Sequence, residues 1–193
     1  MHAFSTWFRE RDIKDFWELT HAAQIYDNSV ELTYDYKRGP PINDNIPTAC
    51  AAQCYHGTKA YNLRAISYDG LAPSDNRQLG HDNHGYPGVF VTPHLSIALD
   101  DAYSTAQNLF GQGIFYKMYF SVVVDMRRVI HRGKGDWELV LPRNAVWITK
   151  LHIRVNPIVD DHRFQGFEPW LEAVPRGMHP VATTVQGQFL YDV

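Results

Sequence analysis

The chain has 193 residues, of which 45% are hydrophobic, 13% aromatic and 20% charged, with a formal net charge of −3. That length and composition suit one globular domain with a sizeable core and exclude a disordered or low-complexity chain. The mild acidity excludes a general polyanion grip, because nucleic-acid binders usually carry a basic footprint.

No apolar run approaches the roughly 18 residues needed to span a bilayer. The first residues, MHAFSTWFRERDIKDFWELT, lack the charged-then-apolar plan of a secretory leader. Cys50 and Cys54 are the only cysteines, too few and too close for a secreted disulfide framework. The expectation is an intracellular, cytoplasmic protein, or a fragment of a larger chain, with no membrane partner.

In chain order, residues 9–24 (RERDIKDFWELTHAAQ) set Ile13, Phe16, Trp17 and Leu19 near one helical face, and early acidic residues suit the helix dipole. A Pro/Asn/Gly-rich connection over 36–48 then makes 1–48 an N-terminal helical extension of a core spanning 49–155. Residues 51–55 are short, apolar and bounded, as a buried strand is. The spacing of Leu63 and Ile66 predicts a helix over 59–68, with Gly70 just past its end. The polar, glycine-rich stretch 70–88 reads as a long loop, of the kind that is usually functional. GVFVTP (88–93) predicts a strand, and 96–109 a helix.

Residues 114–126 (IFYKMYFSVVVDM) carry the strongest β signal, aromatic and β-branched throughout. HRGKGD (131–136) reads as a hairpin turn. Strands are predicted at 137–141 and 145–155, with the turn PRN between them. The tail 156–193 reads as irregular, with room for a last short strand at 188–192. Strands outnumber helices and come in runs, so the expected class is α+β with mainly antiparallel pairing, in a single domain.

Two groups of residues invite chemistry. In His56-Gly57-Thr58, glycine lets a ligand approach the backbone, whose amide and carbonyl can pair with a carboxamide. The neighbouring imidazole can bond a ribose hydroxyl without fixed charge. Taken alone, the three residues read first as a strand end with turn chemistry and a partly buried histidine. The second group is Cys50, Cys54 and His56 with His81 and His84, the donor types of a tetrahedral zinc site. On a strand, residues 50 to 56 spread over roughly 20 Å, so one compact site cannot use all three. No metal is therefore expected.

The order of motifs carries more. His56-Gly57-Thr58 leads into a helix containing Asn62, then GLAPS, the loop, Gly88-Val89-Phe90 and finally Trp137-Glu138 just before LP. Over roughly residues 53 to 155 this order resembles the ADP-ribosyltransferase family, in its poly(ADP-ribose) polymerase-like branch with a His–Tyr–Glu triad. The resemblance implies two mainly antiparallel sheets forming a split core, with NAD⁺ held in the cleft between them. It also implies cleavage of the nicotinamide–ribose bond and transfer of ADP-ribose to an acceptor, protein or nucleic acid.

Carried onto this sequence, His56 matches the histidine that holds the adenosine-side ribose, and Gly57 the residue whose backbone pairs with the nicotinamide amide, with Thr58 beside them. Phe90 stands where the family has its tyrosine. Ser96 lies near the serine that reaches the nicotinamide amide, and Tyr103 matches a second stacking aromatic. Glu138 matches the catalytic glutamate, and 75–87 the flap over the donor site. A carboxylate at Glu138 would stabilise positive charge developing on the ribose, and Trp137 should point to the opposite face. Asp136 would share the Glu138 face.

Phe90 keeps an aromatic surface but has no hydroxyl. Either Tyr86 or Tyr103 supplies one, or the site is attenuated. Two alternatives thus stand beside the transferase: a non-catalytic module binding nucleotide, ADP-ribose or protein, and a relative that removes an RNA 2′-phosphate using NAD⁺.

Overall fold

The computed structural model describes residues 2–26, 29–38, 46–73, 86–110, 114–133, 135, 137–157, 180–182 and 189–191. Helix α1 (His2–Glu10) comes first, because Phe4, Trp7 and Phe8 recur at helical spacing and are all buried. Burying each contributes on the order of 1.5–3 kcal/mol. Asp12 then takes a left-handed φ of 57°, and the Ile13 amide reaches back to the Phe8 carbonyl at 2.9 Å. This is a Schellman-type stop with aspartate in place of glycine.

The helix expected over 9–24 is therefore not formed, and 1–48 is not a helical extension. Trp17–Tyr26 is strand β1, paired antiparallel with β2 (Ser29–Tyr36). Both belong to the main sheet. The physical reason is tertiary: β2 has a partner on each side, and its Leu32 and Tyr34 are buried. Most of β1 beyond Trp17 is exposed, so its side chains carry little period of their own.

Next come β3 (Ala51–Thr58), α2 (Leu63–Asp69), β4 (Val89–Val91), α3 (Leu95–Ala98), β5 (Ile114–Asp125), β6 (His131–Arg132), β7 (Leu139–Leu141) and β8 (Val146–Pro157). A short pair, β9 (Pro180–Ala182) and β10 (Phe189–Tyr191), closes the order. Gly70, with φ 71°, ends α2 as its cap. The long helix expected over 96–109 is only the single turn of α3. Asp100 ends it: its side chain accepts from the Ala102 amide at 2.9 Å, and its carbonyl accepts from Tyr103 and Ser104.

Every strand pair among the described residues is antiparallel. One sheet runs β1-β2-β8-β5-β3 and a second runs β4-β7-β6, so the architecture is mixed, with two antiparallel sheets and few helices. The remaining expectations for the loop 75–87 and the tail fall largely on residues outside those described, as do Asp136, His81 and His84. Among the described residues no helix is long and apolar enough to cross a membrane.

Register fixes the two faces of the main sheet. One face carries the row Tyr34, Leu151, Phe120 and His56 across four strands, with Leu32, Ile153, Met118 and Thr58 beside it. Helices α1 and α2 cover this face. Phe8 meets Tyr34 edge-on at 5.1 Å, and the Trp17 indole donates to Ser67 Oγ at 2.8 Å. On the other face, Tyr119 and Arg154 donate to Glu31 at 2.9 and 2.8 Å, and His152 lies against Glu31 at 3.2 Å and Ser121 at 2.8 Å. Hydrogen bonds from His152, Arg154 and Tyr119 outweigh burial and hold Glu31 down near a pKa of about 2.

Candidate functional site

Among the described residues the two sheets meet at one backbone bridge. Tyr55 and Thr92 exchange backbone hydrogen bonds of 2.7 and 2.9 Å, and the ladder goes no further. In an antiparallel ladder the next mutually bonded pair is two residues on, which here would be Gly57 with Phe90. That pair does not form. Instead His56 Nδ1 lies 2.7 Å from the Phe90 carbonyl.

A carbonyl only accepts, so Nδ1 carries the proton and Nε2 is left as an acceptor. Desolvation lowers the His56 pKa, opposed by the bond to Phe90, and the ring stacks on Phe120. The sheet row that brings His56 beside Phe120 thus makes it a neutral, oriented imidazole. With the Phe90 carbonyl so occupied, the Gly57 amide and carbonyl point from the edge of β3 into the gap, where no backbone bond to them forms among the described residues. A donor and an acceptor side by side are the complement of a carboxamide.

Around this edge lies a cleft of about 630 Å³, within the roughly 300–1,000 Å³ of small-molecule sites. His56, Gly57, Thr58, Phe90, Tyr103 and Glu138 all line it. Residues more than eighty positions apart in sequence are thereby gathered at one edge. Thr58 is buried on the core face, so little of it is presented. Phe90 is nearly buried too, on the middle of β4.

Gly57 has a second duty. A Cβ there would lie 2.3 Å from the Ala98 carbonyl oxygen and 2.7 Å from Tyr103 Cβ. Only glycine lets the end of α3 and the following turn close on β3. That turn carries Tyr103 into the cleft. Its hydroxyl is pushed up to a pKa of about 12, first by burial, then by the charges of Glu138 and Asp100. Tyr103 and Glu138 therefore feel one another.

Glu138 stands one residue before β7 rather than within it, partly buried. By strand alternation it shares a face with Val140, and hence with Phe90, its partner across the ladder. Trp137 points away and is 61% exposed.

Ser96 is not brought in: it is exposed on α3, and the cleft is lined there by Ile97 and Ala98 instead. The reason is the angle of the short helix, which turns its next residues toward Gly57. Of the two tyrosines able to offset Phe90, Tyr86 stacks on His131 at 4.5 Å, outside the lining, whereas Tyr103 is within it. Cys54 is fully buried, and burial pushes its thiol up to about 11. Among the described residues no three His, Cys, Asp or Glu gather as a metal site. Sequence reasoning missed Lys59 and Tyr61, which line the cleft just past Thr58; their position beside the motif was the available signal.

Comparison of the sequence with protein-family models and with curated proteins gives no match.

Proposed function

We propose that this chain is an NAD⁺-dependent ADP-ribosyltransferase with an ADP-ribosyltransferase-like fold, and that the cleft at the β3–β4 divergence is its donor site. The observation that carries the reading is the interrupted ladder. His56 takes the Phe90 carbonyl, and the Gly57 amide and carbonyl are left facing a cleft that also holds an aromatic pair and a carboxylate.

The residues fit such a donor. Gly57 offers paired backbone groups to the nicotinamide carboxamide, and Phe90 and Tyr103 offer aromatic surface to its ring. His56 Nε2 accepts from a ribose hydroxyl. Bound NAD⁺ supplies a glycosidic bond to a neutral leaving group. Glu138 is placed to stabilise positive charge on the ribose and to orient the acceptor, whose proton is lost as its bond to the ribose forms.

The test is calorimetric binding of NAD⁺ together with release of labelled nicotinamide, for wild type and Glu138→Gln. The expected result is binding by both and at least a hundredfold slower release by the variant, the scale of losing one main electrostatic contact. Wild-type binding without release would instead support a non-catalytic module, a reading that the missing hydroxyl at Phe90 favours. No binding by wild type refutes the donor site.

A further inference from the structure

Lys59 follows the His56-Gly57-Thr58 run directly and lines the same cleft. Its backbone is extended, with φ −95° and ψ 146°, so it continues the line of β3 before the helical turn at Ala60–Asn62. The side chain is half-buried, and burial lowers its pKa. Lys37 pairs with Glu18 at 3.1 Å, Lys150 with Asp35 at 3.1 Å, and Lys117 with Asp101. Lys59 has no such partner among the described residues, although Asp69 and Glu138 line the same cleft.

An ammonium that gives up part of its hydration in a concave wall, with no ion pair formed among the described residues, is under-compensated until an anion arrives. The lining beside it is polar, from Tyr61 and Asn62. Toward Gly57 the wall is built for a carboxamide, so a ligand spanning both ends carries its uncharged group at Gly57 and its negative group at Lys59.

We infer that Lys59 is the phosphate-binding residue of the cleft and pairs with a phosphate of the bound nucleotide. The inference deepens the donor-site reading and rests on it for the ligand, though not for the chemistry. Two phosphates satisfy it: the bridging pyrophosphate of a dinucleotide, or a 2′-phosphate on its adenosine ribose.

The experiment is calorimetric titration of wild type, Lys59→Met and Lys59→Arg with NAD⁺, NADP⁺, ADP, adenosine and nicotinamide. Thermal unfolding of each variant checks folding. Lys59→Met should bind ADP and NAD⁺ roughly ten- to hundredfold more weakly, the scale of one charge-assisted hydrogen bond. Adenosine and nicotinamide should stay within about twofold, and Lys59→Arg should keep most of the affinity. Equal losses for ADP and NAD⁺ assign the pyrophosphate, and a larger loss for NADP⁺ than for NAD⁺ assigns the 2′-phosphate.

Unchanged binding of ADP, NAD⁺ and NADP⁺ alike in Lys59→Met overturns the inference and leaves the donor site standing. An equal loss for all five ligands also overturns it, since uncharged ligands feel only shape. Lys59-dependent binding of ADP with no binding of NAD⁺ upholds it and removes the donor-site reading. Wild type that binds no phosphate ligand overturns both.

Discussion

Replacing Gly57 with alanine separates what the fold needs at this position from what a ligand needs. The added Cβ would sit 2.3 Å from the Ala98 carbonyl oxygen and 2.7 Å from Tyr103 Cβ, where ordinary contact begins at 3.4 Å. The first neighbour is backbone, so the end of α3 or the strand itself must retreat by roughly an ångström. Overpacking of this kind costs about 1–3 kcal/mol. For a domain of this size each kcal/mol lowers Tm by about 2–4 °C, so the variant should melt about 2–12 °C below wild type with no ligand present. Circular dichroism melts of the two proteins measure this directly. Nicotinamide affinity should fall as well, because Tyr103 moves with the same turn. A Tm within about 1 °C of wild type would refute the close approach of α3 to β3, and with it the placement of Tyr103 in the cleft.

Two further predictions concern acid. Burial lowers the His56 pKa below its ordinary value of 6.5, so the unfolded chain takes up the proton first, and stability is lost as pH falls below about 6.5. His56→Phe lacks this term; its stability deficit relative to wild type, read from urea midpoints, should shrink between pH 7 and pH 5, and a constant deficit would contradict a neutral, desolvated imidazole. Glu31 is held ionised to about 2 instead of 4.5, so its contribution is complete above pH 4.5 and is lost on descent to about pH 2. Glu31→Gln should therefore be less stable at neutral pH by on the order of 1–3 kcal/mol, after allowance for partial exposure, and equal to wild type near pH 2.

The site's parts were legible in unequal measure. His56-Gly57-Thr58, Gly88-Val89-Phe90 and Glu138 stand out because short motifs at strand ends carry their own chemistry, and all but Gly88 and Val89 line one cleft. Ser96 and Tyr103 could not be sorted by spacing, since the predicted helix would have carried both along one rod. The Asp100 turn breaks that rod after Ala98 and swings Tyr103 over Gly57 while Ser96 stays outside. Lys59 passed unnoticed because one lysine has no pattern; only its position in the cleft wall, without an ion-pair partner among the described residues, gives it meaning.

By itself the sequence determined the elements whose side chains repeat with a strong period or end on a strong stop. β5 is aromatic and β-branched throughout, and α2 ends on Gly70, where a left-handed residue is needed. It also determined which residue types were available for a site. Tertiary structure decided what local preference leaves open. β1 is a strand because β2 offers it an edge, and α1 stops at a left-handed aspartate whose carbonyl and carboxylate both accept from the Tyr68 hydroxyl, fifty-six positions away. It also decided the direction of the Gly57 amide and carbonyl. That depends on the ladder breaking after Tyr55 and Thr92, where an imidazole from one sheet takes the carbonyl of the other. Pairing between distant strands is a property of the register, and no short stretch of sequence contains it.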